Sequence, residues 1–139
     1  MSVDPVCLSS LLEHLHARVR SQATSLPDCA TALCHERPKD CLDMVMAVLP
    51  ELGSPNLIQS VGDGLLEDLL NEHAGSLYDE IAALLRTSQR FRFAFACGTY
   101  ASVDPAVVDD WMRILQDIGT TKQRERKRLW STRGGLRET

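Results

Sequence analysis

The sequence predicts an all-α protein: a single compact irregular bundle of five to six helices with a basic C-terminal tail. Three observations carry this expectation. Apolar residues recur at helical spacing along most of the 139 residues. Aromatic residues make up only 5% against an apolar fraction of 44%, so the core must be built mainly from Leu, Val, Ile and Ala. One segment alternates with the period of a strand, and no second segment offers itself as a pairing partner.

The first helix is read from Leu8, Leu11, Leu12, Leu15 and Val19, which form one stripe of a 3.6-residue period. Leu26-Pro27-Asp28 interrupts it. Pro38 suits the first turn of a second helix, with Asp40 and Asp43 near its positive end and Cys41, Val45, Val48 and Leu49 inward. Ser54-Pro55 is an N-cap followed by a first-turn proline, opening a short turn of helix. Gly62-Asp63-Gly64 reads as a turn in which Asp63 caps the next helix. Leu65, Leu66, Leu69 and Leu70 make the stripe of that helix, ended by Gly75. Ser76 is expected to cap a helix bearing Leu77, Tyr78, Ile81, Leu84 and Leu85. Its acidic first turn, Asp79 and Glu80, and basic last turn, Arg86, match the helix dipole. Asp104-Pro105 opens a last strong helix with Val107, Val108, Trp111, Ile114, Leu115 and Ile118 inward, closed by Gly119.

The stretch 89–97 is the ambiguous one. Phe91, Phe93 and Phe95 alternate with Arg92, Ala94 and Ala96, as in a strand. Phe91 and Phe95 also stand four apart, as on a helix, and a lone strand has nowhere to place its backbone hydrogen bonds. Helix is therefore expected.

Charge is unevenly distributed. Residues 1–118 hold 8 Lys and Arg against 17 Asp and Glu, a net −9. Residues 119–139 hold seven basic residues against Glu125 and Glu138, a net +5. The expected organisation is an acidic helical domain over 1–118 and a basic tail over 119–139. No apolar run approaches the roughly 20 residues that span a bilayer, and the N-terminus lacks signal-peptide character. The expected location is the cytoplasm, with no membrane contact. The five cysteines, Cys7, Cys29, Cys34, Cys41 and Cys97, are then expected as free thiols.

Residues 44–115 carry Gly64-Leu65-Leu66-Glu67-Asp68-Leu69-Leu70, a helix of the kind in Tyr78-Asp79-Glu80-Ile81, then Arg90-Phe91-Arg92-Phe93-Ala94-Phe95 and a helix around Asp110-Trp111. In these pieces, about half of the chain, it resembles an uncharacterised family of small bacterial all-helical domains. Where such families usually show a Trp soon after the phenylalanine helix, this chain has Tyr100. The resemblance implies a bacterial helical protein and a helix over 89–97. It implies no activity.

Catalytic and metal chemistry find little footing. Cys29-x4-Cys34-His35-x5-Cys41 offers soft ligands for zinc, but lacks the close Cys pair that serves as a hook in common zinc modules. Asp68 and Glu72 share a helix face and, with Glu67 and His73, could hold a metal. Di-metal carboxylate bundles need Glu-x-x-His on each of two helices, and this chain has that spacing only once, at Glu13 and His16. His14 and His16 face different sides of their helix. No Gly-x-Ser-x-Gly occurs, Cys97-Gly98 has no evident base, and Gly62-Asp63-Gly64 lacks the lysine of a phosphate loop. No catalytic residue, metal or cofactor is expected.

What remains is binding. The first expectation is a non-catalytic protein-binding protein, resembling immunity proteins in using an acidic surface to neutralise a cationic toxin domain. Its carriers would be Glu67, Asp68, Glu72, Asp79, Glu80, Asp109 and Asp110. The alternative is a nucleic-acid-associated accessory or regulatory protein. There Lys122, Arg124, Arg126, Lys127 and Arg128 would contact phosphates and Trp130 would stack on a base.

Overall fold

The computed structural model describes residues 3–20 and 25–129, and the backbone alone for Arg128 and Leu129. Among the described residues the protein is all-α, with no strand. The helices are α1 (Pro5–Val19), α2 (Asp28–Glu36), α3 (Pro38–Val48), α4 (Pro55–Val61), α5 (Glu67–His73), α6 (Tyr78–Thr87), α7 (Gln89–Cys97), α8 (Pro105–Ile118) and α9 (Lys122–Leu129). A 3-10 turn, Leu49–Glu51, follows α3. A π-helical stretch, Gly62–Leu66, joins α4 to α5, so these form one rod from Pro55 to His73. The count thus exceeds the five to six helices expected. None is long and apolar enough to cross a membrane.

The core is organised around α7. Phe91, Phe93, Ala94 and Phe95 are all buried, over more than half the circumference of a single helix. A helix buried over so wide an arc belongs inside a bundle. This accounts for the period-two pattern: α7 packs against α4, the π stretch, α6 and α9, so alternate residues find different neighbours. Even Arg90 is buried. Its Nη1 donates to the carbonyls of Leu49 and Leu52 at 2.7 and 2.8 Å, satisfying chain-end carbonyls after α3. Ser88 caps the helix by accepting from the Phe91 amide.

Several caps form as the sequence predicts. Ser54 accepts from Leu57 N, Asp104 accepts from Ala106 N, and Gly119 ends α8 at φ 79, a left-handed position that favours glycine. Others differ. Gly62-Asp63-Gly64 is no turn. It lies inside the rod, because a Cβ at position 62 would stand 1.9 Å from the Ala94 carbonyl oxygen. Glycine serves close approach to α7 here. Asp63 caps nothing; it pairs with Arg18 at 3.3 Å. Ser76 does not cap α6 either. Its hydroxyl donates back to the His73 carbonyl, closing α5. The inward face of α1 is Cys7, Leu11, His14 and Leu15, while Val19 is exposed, so the stripe is rotated from its expected register. Ile118 is likewise exposed.

Two further corrections bear on function. Cys7 and Cys29 are joined as a disulfide with Cα atoms 6.0 Å apart, tying α1 to α2, so only Cys34, Cys41 and Cys97 are free. The expectation of five free thiols fails at this pair. Packing also does not stop at Gly119. Helix α9 lies on α7, and Glu125 is 1% exposed, accepting from Arg92 Nε at 2.9 Å and from the Thr120 hydroxyl at 2.6 Å. Residues 122–129 thus belong to the body rather than to a detached tail. Trp130, Arg133 and Arg137 lie outside the described residues, as does the Arg128 side chain. Replacing Glu125 by Gln leaves Arg92 half-answered in a buried setting, and should cost about 1–3 kcal/mol in denaturant unfolding. An unchanged midpoint would mean that α9 contributes nothing to the fold.

Candidate functional site

Short helix α2 lies against α5. From α2 come Thr31, Cys34 and His35; from α5 come Asp68, Asn71 and Glu72. Each set has the spacing i, i+3, i+4, which places its members on one helix face. Together with Leu26 they line a cleft of about 320 Å³. Of its two walls, α2 buries little: Ala30 and Cys34 are its buried residues.

The walls are latched by His35 Nδ1, which stands 2.7 and 2.9 Å from the two carboxylate oxygens of Glu72. Glu72 hydrogen-bonds the imidazolium and attracts its charge, so the His35 pKa is raised above its ordinary 6.5. Asp68 is also raised, first by burial and then by repulsion from Glu67 and Glu72, with His35 opposing. At the cleft floor the Cys34 thiol meets Cys41 of α3. A hydrogen bond from Cys41 lowers the Cys34 pKa, and the same bond together with burial raises that of Cys41.

The His35–Glu72 latch depends on pH. A histidine whose pKa is raised in the folded state stabilises the fold fully below its unfolded value near 6.5. That contribution is lost as pH rises through the higher folded pKa. Glu72→Gln should return the His35 titration, followed by NMR of the ring protons, toward 6.5. An unmoved titration would show that Glu72 does not hold the ring.

The predicted acidic residues divide. Asp68 and Glu72 line the cleft. Glu67 does something else: its Oε1 accepts from Thr99 N at 2.6 Å. Asn71 works beside it, donating to the carbonyls of Glu67 and Thr99 and accepting from Ser102 N at 2.9 Å. These two side chains pin the connection between α7 and α8, a role the sequence reading missed. Glu80 faces Lys39 at 3.7 Å. Asp110 accepts from the Tyr78 hydroxyl at 2.7 Å and faces Arg113. Asp79 and Asp110 border a separate groove that also contains Arg86 and Arg113. Asp109 is exposed on α8. The seven carboxylates therefore do not form one acidic patch.

On α9, Lys122, Arg124, Arg126 and Lys127 are exposed. Arg124 donates to the Gly119 carbonyl at 2.6 Å. Arg126 donates to Asn56 and lies 5.9 Å over the Phe93 ring. Arg126, Lys127 and Gln123 border a second cleft of about 510 Å³ with Ser54, Pro55 and Asn56. The cysteine cluster weighed for zinc does not assemble, since the Cys29 sulfur is bonded to Cys7. Among the described residues no three His, Cys, Asp or Glu side chains are grouped to hold a metal ion.

The fold and cleft define an all-α protein with a small carboxylate-lined recess. Comparison with protein-family models, curated sequences and solved structures finds no match.

Proposed function

We propose that this is a non-catalytic protein-binding protein whose α2–α5 cleft receives a basic side chain of a cationic partner, as an immunity-like neutraliser of a toxin domain would. One observation carries the reading. Asp68 and Glu72 share a recess whose lining contains no Lys or Arg. Burial and then repulsion from Glu67 and Glu72 raise Asp68, and an incoming guanidinium or ammonium group relieves that repulsion. Charge of this kind steers encounter and sets specificity more than it adds affinity. Loss of the His35 charge at higher pH makes the cleft more negative, so a cationic partner binds better there.

The reading places the protein in the cytoplasm. Cys7–Cys29 would then be of the transient, redox-responsive kind that cytosolic disulfides usually are.

The test is affinity capture from native lysate with the wild type and an Asp68→Lys/Glu72→Lys variant side by side. The captured partner should be lost from the variant, and association should slow steeply with salt. A partner retained equally by both would overturn the cleft as its site.

The docked α9 supports a second reading, in which its exposed Lys and Arg side chains contact nucleic-acid phosphates. Because Glu125 is buried, deleting residues 120–139 would remove part of the body, so reversal of Lys122 and Lys127 to Glu is the cleaner variant. With about five phosphate contacts, the logarithm of affinity for duplex DNA should fall against log salt with a slope near −4 to −5. The reversal should flatten that slope by about two.

A further inference from the structure

We propose that Cys34 and Cys41 form a redox site: a dithiol that small organic disulfides convert to an intramolecular disulfide, with Cys34 attacking and Cys41 resolving. This is independent of the partner reading, since it requires no bound protein.

The geometry sets the roles. Cys34 stands in the last turn of α2 and Cys41 in the first turns of α3, on either side of the corner at Arg37 and Pro38. The chain reverses there, α2 packs on α3, and the two free cysteines lie in one buried cluster, close enough for each thiol to shift the other's pKa. Cys34, itself only 3% exposed, lines the cleft, whereas Cys41 is 0% exposed and does not line it. A reagent entering the cleft therefore meets Cys34 first. The bond from Cys41 also favours the Cys34 thiolate, which is the nucleophilic form. Cys97 is the more exposed third thiol, but burial pushes its pKa up to about 11, so it stays protonated at neutral pH.

The chemistry balances as two exchanges. The Cys34 thiolate attacks one sulfur of a disulfide RSSR, the S–S bond breaks, and RS⁻ leaves with the proton that Cys34 gave up. Cys41 then attacks the Cys34 sulfur. The Cys34–SR bond breaks, and the second RS⁻ takes the Cys41 proton. The dithiol loses two electrons and two protons, and RSSR becomes two RSH.

Cleft charge selects the reagent. Asp68 and Glu72 attract a cationic disulfide and repel an anionic one. Cystamine should therefore react several-fold faster than oxidised glutathione at low salt, and that preference should shrink at high salt.

The experiment treats the full chain, with Cys7–Cys29 intact, with cystamine at pH 7.5. Samples are acid-quenched, alkylated, digested with pepsin and mapped by mass spectrometry. A Cys34–Cys41 cross-link should accumulate while Cys97 remains free to alkylate. Cys41→Ser should stop at one cysteamine on Cys34, and in Cys34→Ser the Cys41 thiol should stay unmodified. Modification of Cys97 ahead of Cys34, or absence of the cross-link from the wild type, would overturn the proposal. So would cysteamine on Cys41 in the Cys34→Ser chain. If a serine variant fails to fold, the wild-type map decides alone.

Discussion

Trp111→Ala should lower stability by about 3–5 kcal/mol, the range for truncating a large buried aromatic. For a domain of this size that corresponds to a melting temperature lower by roughly 10–20 °C. Trp111 is 0% exposed and sits where α8 packs on α6 and reaches Phe95 of α7. Its Nε1 donates to the Tyr78 carbonyl at 3.3 Å. Its ring lies edge-on to Phe95 at 5.8 Å and stacks toward Tyr78 at 6.2 Å. Removing the indole leaves a cavity that rigid aromatic neighbours cannot close, and orphans one bond. Trp111→Phe should keep most of the stability, because the cavity is largely refilled. A Trp111→Ala chain that melts like the wild type would mean that α8 is not docked as described.

Gly62→Ala is expected to be comparably severe, at about 3 kcal/mol or more, and is measured by the same thermal scan. The added methyl would meet the backbone of Ala94, not the flexible end of a side chain. The rod would have to separate from α7, the element on which most of the core converges. Gly53→Ala makes the control, since a Cβ there meets nothing within 4 Å. Equal melting of the two variants would show that the close approach is not maintained.

The sequence made helix type and many boundaries legible, and the failures have physical reasons. Pro38, Ser54-Pro55, Asp104-Pro105 and Gly119 carry local signals, and each marks the boundary it predicts. Gly62-Asp63-Gly64 misleads because glycine serves two ends, turning and close packing, and only the second applies here. No helix is expected between Leu26-Pro27-Asp28 and Pro38, yet α2 lies there. Few of the residues of α2 are buried, so its apolar stripe is faint. Tertiary ties hold it instead: the disulfide to α1 and the ion pair to α5. Those ties join residues 22 and 37 positions apart, which no local pattern reports. The candidate site was visible in part for the same reason. Asp68 and Glu72 could be paired from their spacing alone, whereas their opposite wall could not. Glu67 shares their helix and their charge, but the Thr99 amide occupies it.

The π stretch makes the cleft depend on a count. Leu57, Val61, Leu65 and Leu69 are all buried and stand four apart along one rod. In an uninterrupted α-helix each such step overshoots a full turn by about 40°, so three steps would carry the last leucine about a third of the way round the axis. The wider turns at Gly62–Leu66 absorb that phase error, much as a leap day keeps a calendar in step with the seasons. Deleting one residue there would restore regular winding and turn α5 by about 100°. Glu72 would rotate away from His35 and the leucines toward water. The recess therefore rests on a single surplus residue in the turn that precedes both carboxylates.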